Sequence, residues 1–188
     1  MSTDGSGLRA TVAIPRGVTV EVRPGRLVVA GPKGRVERPF PDGVLRVDLH
    51  GTEAELILRL DPKRKRSRSL LGTWVAHLRN LSLGVAHGVE ARLKIVAAHF
   101  PMKVAAKGST LVIENFLGEK YPRTATLVPG TTAEVAGEFV TISGIDVEQV
   151  GQSAANVERA TRIRQYDPRV FQDGIYLIER ARIKEADS

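Results

Sequence analysis

Between Pro62 and Val89 the chain carries no acidic residue, and its first eight positions read PKRKRSRS. Lys63, Arg64, Lys65, Arg66 and Arg68 stand close enough to repel one another. Such a run gains little by folding alone, and a polyanion is its natural counterion. The bland reading is a solvated loop between a strand and a helix. A second basic cluster follows at Arg159, Arg162, Arg164 and Arg169, with Asp167 the one acid among them. Arg162 and Arg164 near a helix C-terminus would complement the macrodipole in any case. The dipole does not account for Tyr166, Phe171 and Tyr176, which interleave with Arg169 and Arg180. Aromatic rings amid arginines stack on bases or pack beneath a sheet. Tyr166 is the stacking candidate, and Phe171 and Tyr176 are assigned to packing. Upstream, GQSAAN reads as a helix start whose free amides and small side chains would accept a phosphate.

No catalytic constellation competes with this. The chain has no cysteine, which removes thiol chemistry, disulfides and cysteine-ligated zinc. It contains no GxSxG, GxGxxG or GxxxxGK[ST] pattern. GPKG at 31–34 lies between strands, so it is a hairpin turn, not a phosphate-binding loop. His50, His77, His87 and His99 are scattered, and no pair has the spacing of a metal site. The expectation is no catalysis, no cofactor and no metal. Lys and Arg number 28 against 21 acids, a net charge of +7, which favours an anionic partner. No apolar run reaches the ~20 residues of a membrane span. The polar start MSTDGSG lacks the features of a signal peptide, so a cytoplasmic location is expected.

The elements that must carry these residues come in two sets. Leu27, Val28 and Val29 align with Leu111, Val112 and Ile113 at an offset of 84. Val18 and Val20 fall on Met102 and Val104, Gly34 on Gly118, and Ser69 on Ser153 at the same offset. A shared offset across several elements indicates a duplicated unit. In the first copy, VTVEV, RLVVAG, RVERPF, VLRVDL and AELILRL read as strands, separated by the turns RPG, PKG and HGTE. MKVAA, TLVIEN, YPRTATLV, TAEVA and EFVTISG repeat the pattern. Each set then changes period. Leu70, Leu71, Trp74, Val75, Leu78 and Leu81 form a helical stripe, with Ser69 as N-cap and Gly84 just past its end. SAANVERATRIRQ gives the second helix, with Ser153 as N-cap and Ala154, Val157, Ala160 and Ile163 inward. The fold class is therefore α+β: two tandem homologous domains, each an antiparallel β-sheet with one packed α-helix. Residues 8–87 and 88–178 are the two domains, and 1–7 and 179–188 are expected as flexible tails.

AHFPMKV (98–104), NFLGEKYPR (115–123), VPG (128–130), QSAAN (152–156) and RVFQDGIYL (169–177), in this order, resemble large-subunit ribosomal protein six, in its archaeal or eukaryotic-type branch. The resemblance runs from about Ile14 to Tyr176. It implies two copies of one α+β fold arisen by duplication, and binding to large-subunit ribosomal RNA chiefly through the second domain. It further implies a location in the ribosome near the base of the lateral stalk. Neighbouring ribosomal proteins would be partners there, translation factors would come close, and no membrane is involved. Carried onto this chain, the RNA-facing residues would be Gln152, Ser153, Asn156, Arg159, Arg162, Arg164 and Tyr166. Arg169, Asp173 and Gly174 belong to the family signature R-x-F-x-D-G. Tyr166 stands where the family usually has Lys or Arg, so stacking would replace a phosphate contact. The rival reading, from another class, is a basic protein-interaction scaffold that captures partner strands on its sheet edges.

Overall fold

The computed structural model describes residues 2–4, 7–61, 64–164, 166–167 and 169–184. The chain divides into two compact units, Met1–Gly88 and Val89–Ser188. In the first, β1 (Ser2–Asp4), β2 (Gly7–Ala13), β6 (Leu45–His50) and β7 (Glu53–Leu58) form one antiparallel sheet in the order β1-β2-β7-β6. The strands β3 (Thr19–Arg23), β4 (Arg26–Gly31) and β5 (Gly34–Pro39) form a second antiparallel sheet in chain order. Helix α1 (Lys65–His87) packs on both sheets.

The second unit repeats the plan. Its larger antiparallel sheet runs β12 (Thr132–Ala136), β13 (Phe139–Gly144), β8 (Val89–Val96) and β14 (Gly174–Ile183), in that order. Its smaller sheet runs β11 (Arg123–Thr126), β10 (Thr110–Glu114) and β9 (Lys103–Lys107). Helix α2 (Val147–Ala160) touches both. Beside β8, β14 takes the place that β1 takes beside β2. The α+β class with antiparallel sheets and one helix per unit is as expected, with each unit holding two sheets in place of one.

The offset of 84 holds through the first hairpin of each unit: β3 and β9 start 84 residues apart, as do β4 and β10. It then drifts. Gly34 opens β5, whereas Gly118 lies in a 3-10 turn (Phe116–Gly118) within the longer connection from β10 to β11. Those two glycines are not structural counterparts.

Alternation explains the strands. Leu111 and Ile113 are buried and Val112 between them is half-exposed, as a pleat covered on one face requires. On α1, Leu71, Trp74, Leu78, Leu81 and Val85 are buried at helical spacing, while Leu70 and Val75 are half-buried. Each such Leu contributes roughly 1.5–3 kcal/mol by leaving water. Trp74 meets Phe40 edge-on at 4.9 Å. At Gly31 a Cβ would lie 2.8 Å from the Val85 carbonyl oxygen, so only glycine lets α1 approach β4 this closely.

Both helices start before their expected caps. Arg64, in extended conformation, precedes α1, and Ser69 is within it, donating from Oγ to the Lys65 carbonyl. At the other end α1 continues through the buried Gly84 to His87, and the Gly88 N–H donates back to the Gly84 carbonyl. Asp146 caps α2, its Oδ1 accepting from the Glu148 N–H at 2.9 Å. Residues 179–183, expected as tail, continue β14, because β8 offers them a paired edge.

Candidate nucleic-acid interface

The second arginine cluster stands on an anchored turn. Where α2 ends, the Arg123 guanidinium donates from Nη1 to the carbonyl oxygens of Ala160 and Arg162, each at 3.0 Å. The same group holds Glu119 through Nε at 2.8 Å and lies 4.2 Å over the Phe116 ring. The Arg123 hydrogen bond keeps the Glu119 carboxyl below its ordinary range. Thr161 adds a second anchor: its hydroxyl donates to the Glu158 carbonyl and accepts from the Ile175 N–H at 2.9 Å. The chain thus leaves α2 along one fixed path, with otherwise orphaned helix-end carbonyls satisfied.

The loop that follows is fastened at its far end by the signature segment. Asp167 accepts from the Arg169 N–H through Oδ1, and its backbone carbonyl accepts from Val170 and Phe171. The Phe171 ring lies between Tyr166 at 4.8 Å and His99 at 4.7 Å. Asp173, 1% exposed, accepts from the His99 N–H at 3.0 Å and meets its ring Nδ1 at 2.7 Å. Burial alone would raise the Asp173 carboxyl. The backbone N–H of His99, its ring and the backbone N–H of Phe100 outweigh that and hold it below the usual carboxylate range. Gly174 is buried under Tyr176, whose ring would sit 3.0 Å from any Cβ there.

The outcome is a rigid support with cations on its outside. Arg159, Arg162, Arg164 and Arg169 are exposed, and none pairs with an acid among the described residues. Tyr166 is 49% exposed beside them while its ring rests on Phe171.

Other candidates are placed differently. QSAAN lies in the middle of α2, so its amides are spent within the helix and offer nothing to a phosphate. Ser153 is fully buried; its Oγ accepts from the Val128 N–H at 2.9 Å and shares a hydrogen bond with the Thr131 hydroxyl. Gln152 is exposed and donates to Asn156, which in turn donates to the Thr126 carbonyl. Asp173 and Gly174 are likewise inside the support and off its surface. The segments whose order carries the resemblance therefore converge around α2 and the loop that leaves it. AHFPMKV supplies His99, NFLGEKYPR supplies Phe116, Glu119 and Arg123, and VPG supplies the amide held by Ser153. Arg123 and His99 do not stand out as site residues in the sequence. Their signal is membership of those segments, since neither lies in a basic run.

In the first unit, Lys63 lies outside the described residues. Arg64 pairs with Asp61 at 3.7 Å. Lys65, Arg66 and Arg68 form the first turn of α1, where a loop was expected, and all three are exposed. That turn holds no acid. Cations at the positive end of a helix dipole are each unfavourable by about 0.3–1 kcal/mol, a cost that a bound anion would offset.

Two α+β units with exposed arginines on an immobilised turn and a cation-rich helix start define a class, a cationic protein shaped to face a polyanion. Residues 100–174 match the family described as Ribosomal protein L6. The chain is 44% identical over 171 residues to the large ribosomal subunit protein uL6 of Methanosarcina mazei, an alignment spanning 91% of this chain and 96% of that protein. With uL6 of Methanospirillum hungatei the identity is 45% over 170 residues, covering 90% and 96%. With that of Methanobrevibacter smithii it is 44% over 175 residues, covering 93% and 97%. The chain belongs to the uL6 family of ribosomal proteins.

Proposed function

We propose that this chain is a structural component of the large ribosomal subunit, with no catalytic role, that binds large-subunit ribosomal RNA. The observation that carries the reading is the group of exposed arginines at 159, 162, 164 and 169, none paired with an acid among the described residues, at the end of α2 and on the loop beyond it that Arg123 and Asp173 fix. Family membership supports ribosomal RNA as the partner of that surface. The second unit is the main RNA-binding lobe, and the cations of α1 give the first unit a contact of its own. Two tethered lobes raise the effective concentration of the second contact once the first has formed. Phosphates dominate the interaction, because A-form grooves hide base edges from side chains. The finer placement, near the base of the lateral stalk and close to where translation factors act, rests on the family resemblance, as do neighbouring ribosomal proteins as partners.

The test is a titration of large-subunit ribosomal RNA with the full chain at increasing salt. Neutralising 6 to 10 phosphates predicts a loss of roughly 10³- to 10⁵-fold in affinity between 50 and 200 mM salt, on the duplex-DNA scale. Reversing Arg162 and Arg164 to Glu should weaken binding clearly. A flat salt response, with the double reversal harmless, would instead favour a protein-interaction scaffold.

A further inference from the structure

Beside the anchored turn lies a cleft of about 560 Å³ between the end of α2 and the start of β14. Half-buried Ile163 gives it an apolar patch, with Ile175 fully buried beneath. Tyr176 forms a wall and is 43% exposed, an unusual state for a ring that borders a core. The ring is also held in place, because its hydroxyl donates to the Gln172 carbonyl at 3.1 Å and its face covers Gly174. Arg159 and Arg162 stand on the rim. Glu158 lines the opposite chemistry, with Oε1 accepting from the Leu177 N–H at 3.4 Å. Its carboxylate keeps acceptor capacity for N–H donors and has none to offer a phosphate.

This combination sorts between ligands. A regular RNA helix presents phosphates and ribose but no free ring face, so it would use the two arginines and leave Tyr176 and Ile163 bare. An apolar side chain would use the apolar patch and leave the arginines unmatched. A single unstacked nucleotide uses all of it: a flat base for Tyr176 and the apolar patch, N–H groups for Glu158, and a phosphate on each side of the sugar for the rim. The cleft is also of a size that holds one, since small-molecule sites run from roughly 300 to 1,000 Å³. We propose that this cleft captures one unpaired nucleotide of the RNA, its base against Tyr176 and its phosphates on Arg159 and Arg162. The inference rests on the RNA-binding reading and adds that an extruded base is read there.

The experiment compares the full chain's affinity for a 20-base-pair RNA duplex and for the same duplex with one central unpaired nucleotide, by fluorescence anisotropy at fixed salt. The wild type should prefer the bulged duplex. Tyr176→Ala should lower affinity for the bulged form by roughly 5- to 150-fold, the usual loss for one base–aromatic stack, and leave the plain duplex unchanged. Tyr176→Phe should keep the preference, because the ring face is retained. It also serves as the folded control should the alanine variant lose its thermal transition; in that case Tyr176→Leu replaces it, filling the space without a π-face. Equal affinity of the wild type for both duplexes overturns the inference and leaves the RNA reading standing. A preference that survives in the alanine or leucine variant overturns it too, because the unpaired nucleotide is then read away from Tyr176. Failure to bind either RNA at low salt overturns the RNA reading and the inference together.

Discussion

Asp173 accepts two hydrogen bonds from His99, one from its backbone N–H at 3.0 Å and one at its ring Nδ1 at 2.7 Å. That pair ties the loop carrying Arg164, Tyr166 and Arg169 to the segment before β9. The Asp173 carboxyl is held below its ordinary range, so its stabilising contribution has a defined pH window. A carboxyl depressed in the folded state contributes fully above its unfolded value of about 3.9, and the contribution disappears as pH falls through the lower folded value. Asp173→Asn should therefore cost roughly 1.5–3 kcal/mol at pH 7 and show a shallower loss of stability on acidification than the wild type. Urea midpoints at pH 7, 5, 4 and 3 measure both. Glu21, Glu37 and Glu119 are also depressed, but they are common to the two proteins and cancel in the difference. Parallel acid profiles would remove Asp173 from the account.

Ser153 separates structural candidates from contacts. Its Oγ satisfies the Val128 N–H from a fully buried position. Ser153→Ala strands that donor, at a cost of roughly 1–3 kcal/mol. RNA affinity should be unchanged at a temperature where the variant is folded. A weakened complex with an unaltered urea midpoint would mean that the hydroxyl reaches RNA after all.

How much of this was legible in the sequence depended on locality. The paired hairpins β3–β4 and β9–β10 are local, alternate cleanly and carry glycine turns, so their offset of 84 is measurable from the residues alone. The strands β1, β2, β8 and β14 escaped, β1 from within the expected tail 1–7. β8 follows α1 with only Gly88 between, so no turn of its own marks where it opens. β14 is an edge strand with an exposed, arginine-rich side and two register shifts, which blur its alternation into the look of a tail. The caps failed for a related reason. A serine that caps a helix and one buried in its middle look alike in sequence, when the latter's partner is an amide 25 residues away. The exposed arginines were legible because charge is a property of residues. Arg123, Asp173 and His99 were not, because fixing a turn is a property of contacts between distant segments.

Arg66 offers a test in which two readouts move in opposite directions. It stands in the first turn of α1, against the helix dipole and without an acid in that turn. Arg66→Glu should stabilise the free protein by roughly 0.3–1 kcal/mol, seen as a higher urea midpoint, while weakening RNA binding. Stability and binding falling together would point to a structural role. Stability rising with binding unchanged would confine the RNA contact to the second unit.

Arg123, from β11, and Arg162 meet at the end of α2, but only Arg162 faces outward with its charge uncommitted. Arg123 spends its guanidinium on the Ala160 and Arg162 carbonyls and on Glu119. Arg162→Glu leaves one phosphate without its cation, so the slope of log affinity against log salt should shrink by about 0.7–0.9 for that phosphate. Arg123→Met keeps an unbranched stem over Phe116 but opens the end of α2, at a cost of roughly 1–3 kcal/mol. It should weaken RNA binding through a misplaced Arg162 and leave the salt slope at the wild-type value, because the number of phosphates met is the same. Isothermal titrations at four salt concentrations distinguish the two. A slope reduced as much by Arg123→Met as by Arg162→Glu would make Arg123 a phosphate ligand in its own right and would break the division between the support and the surface it carries.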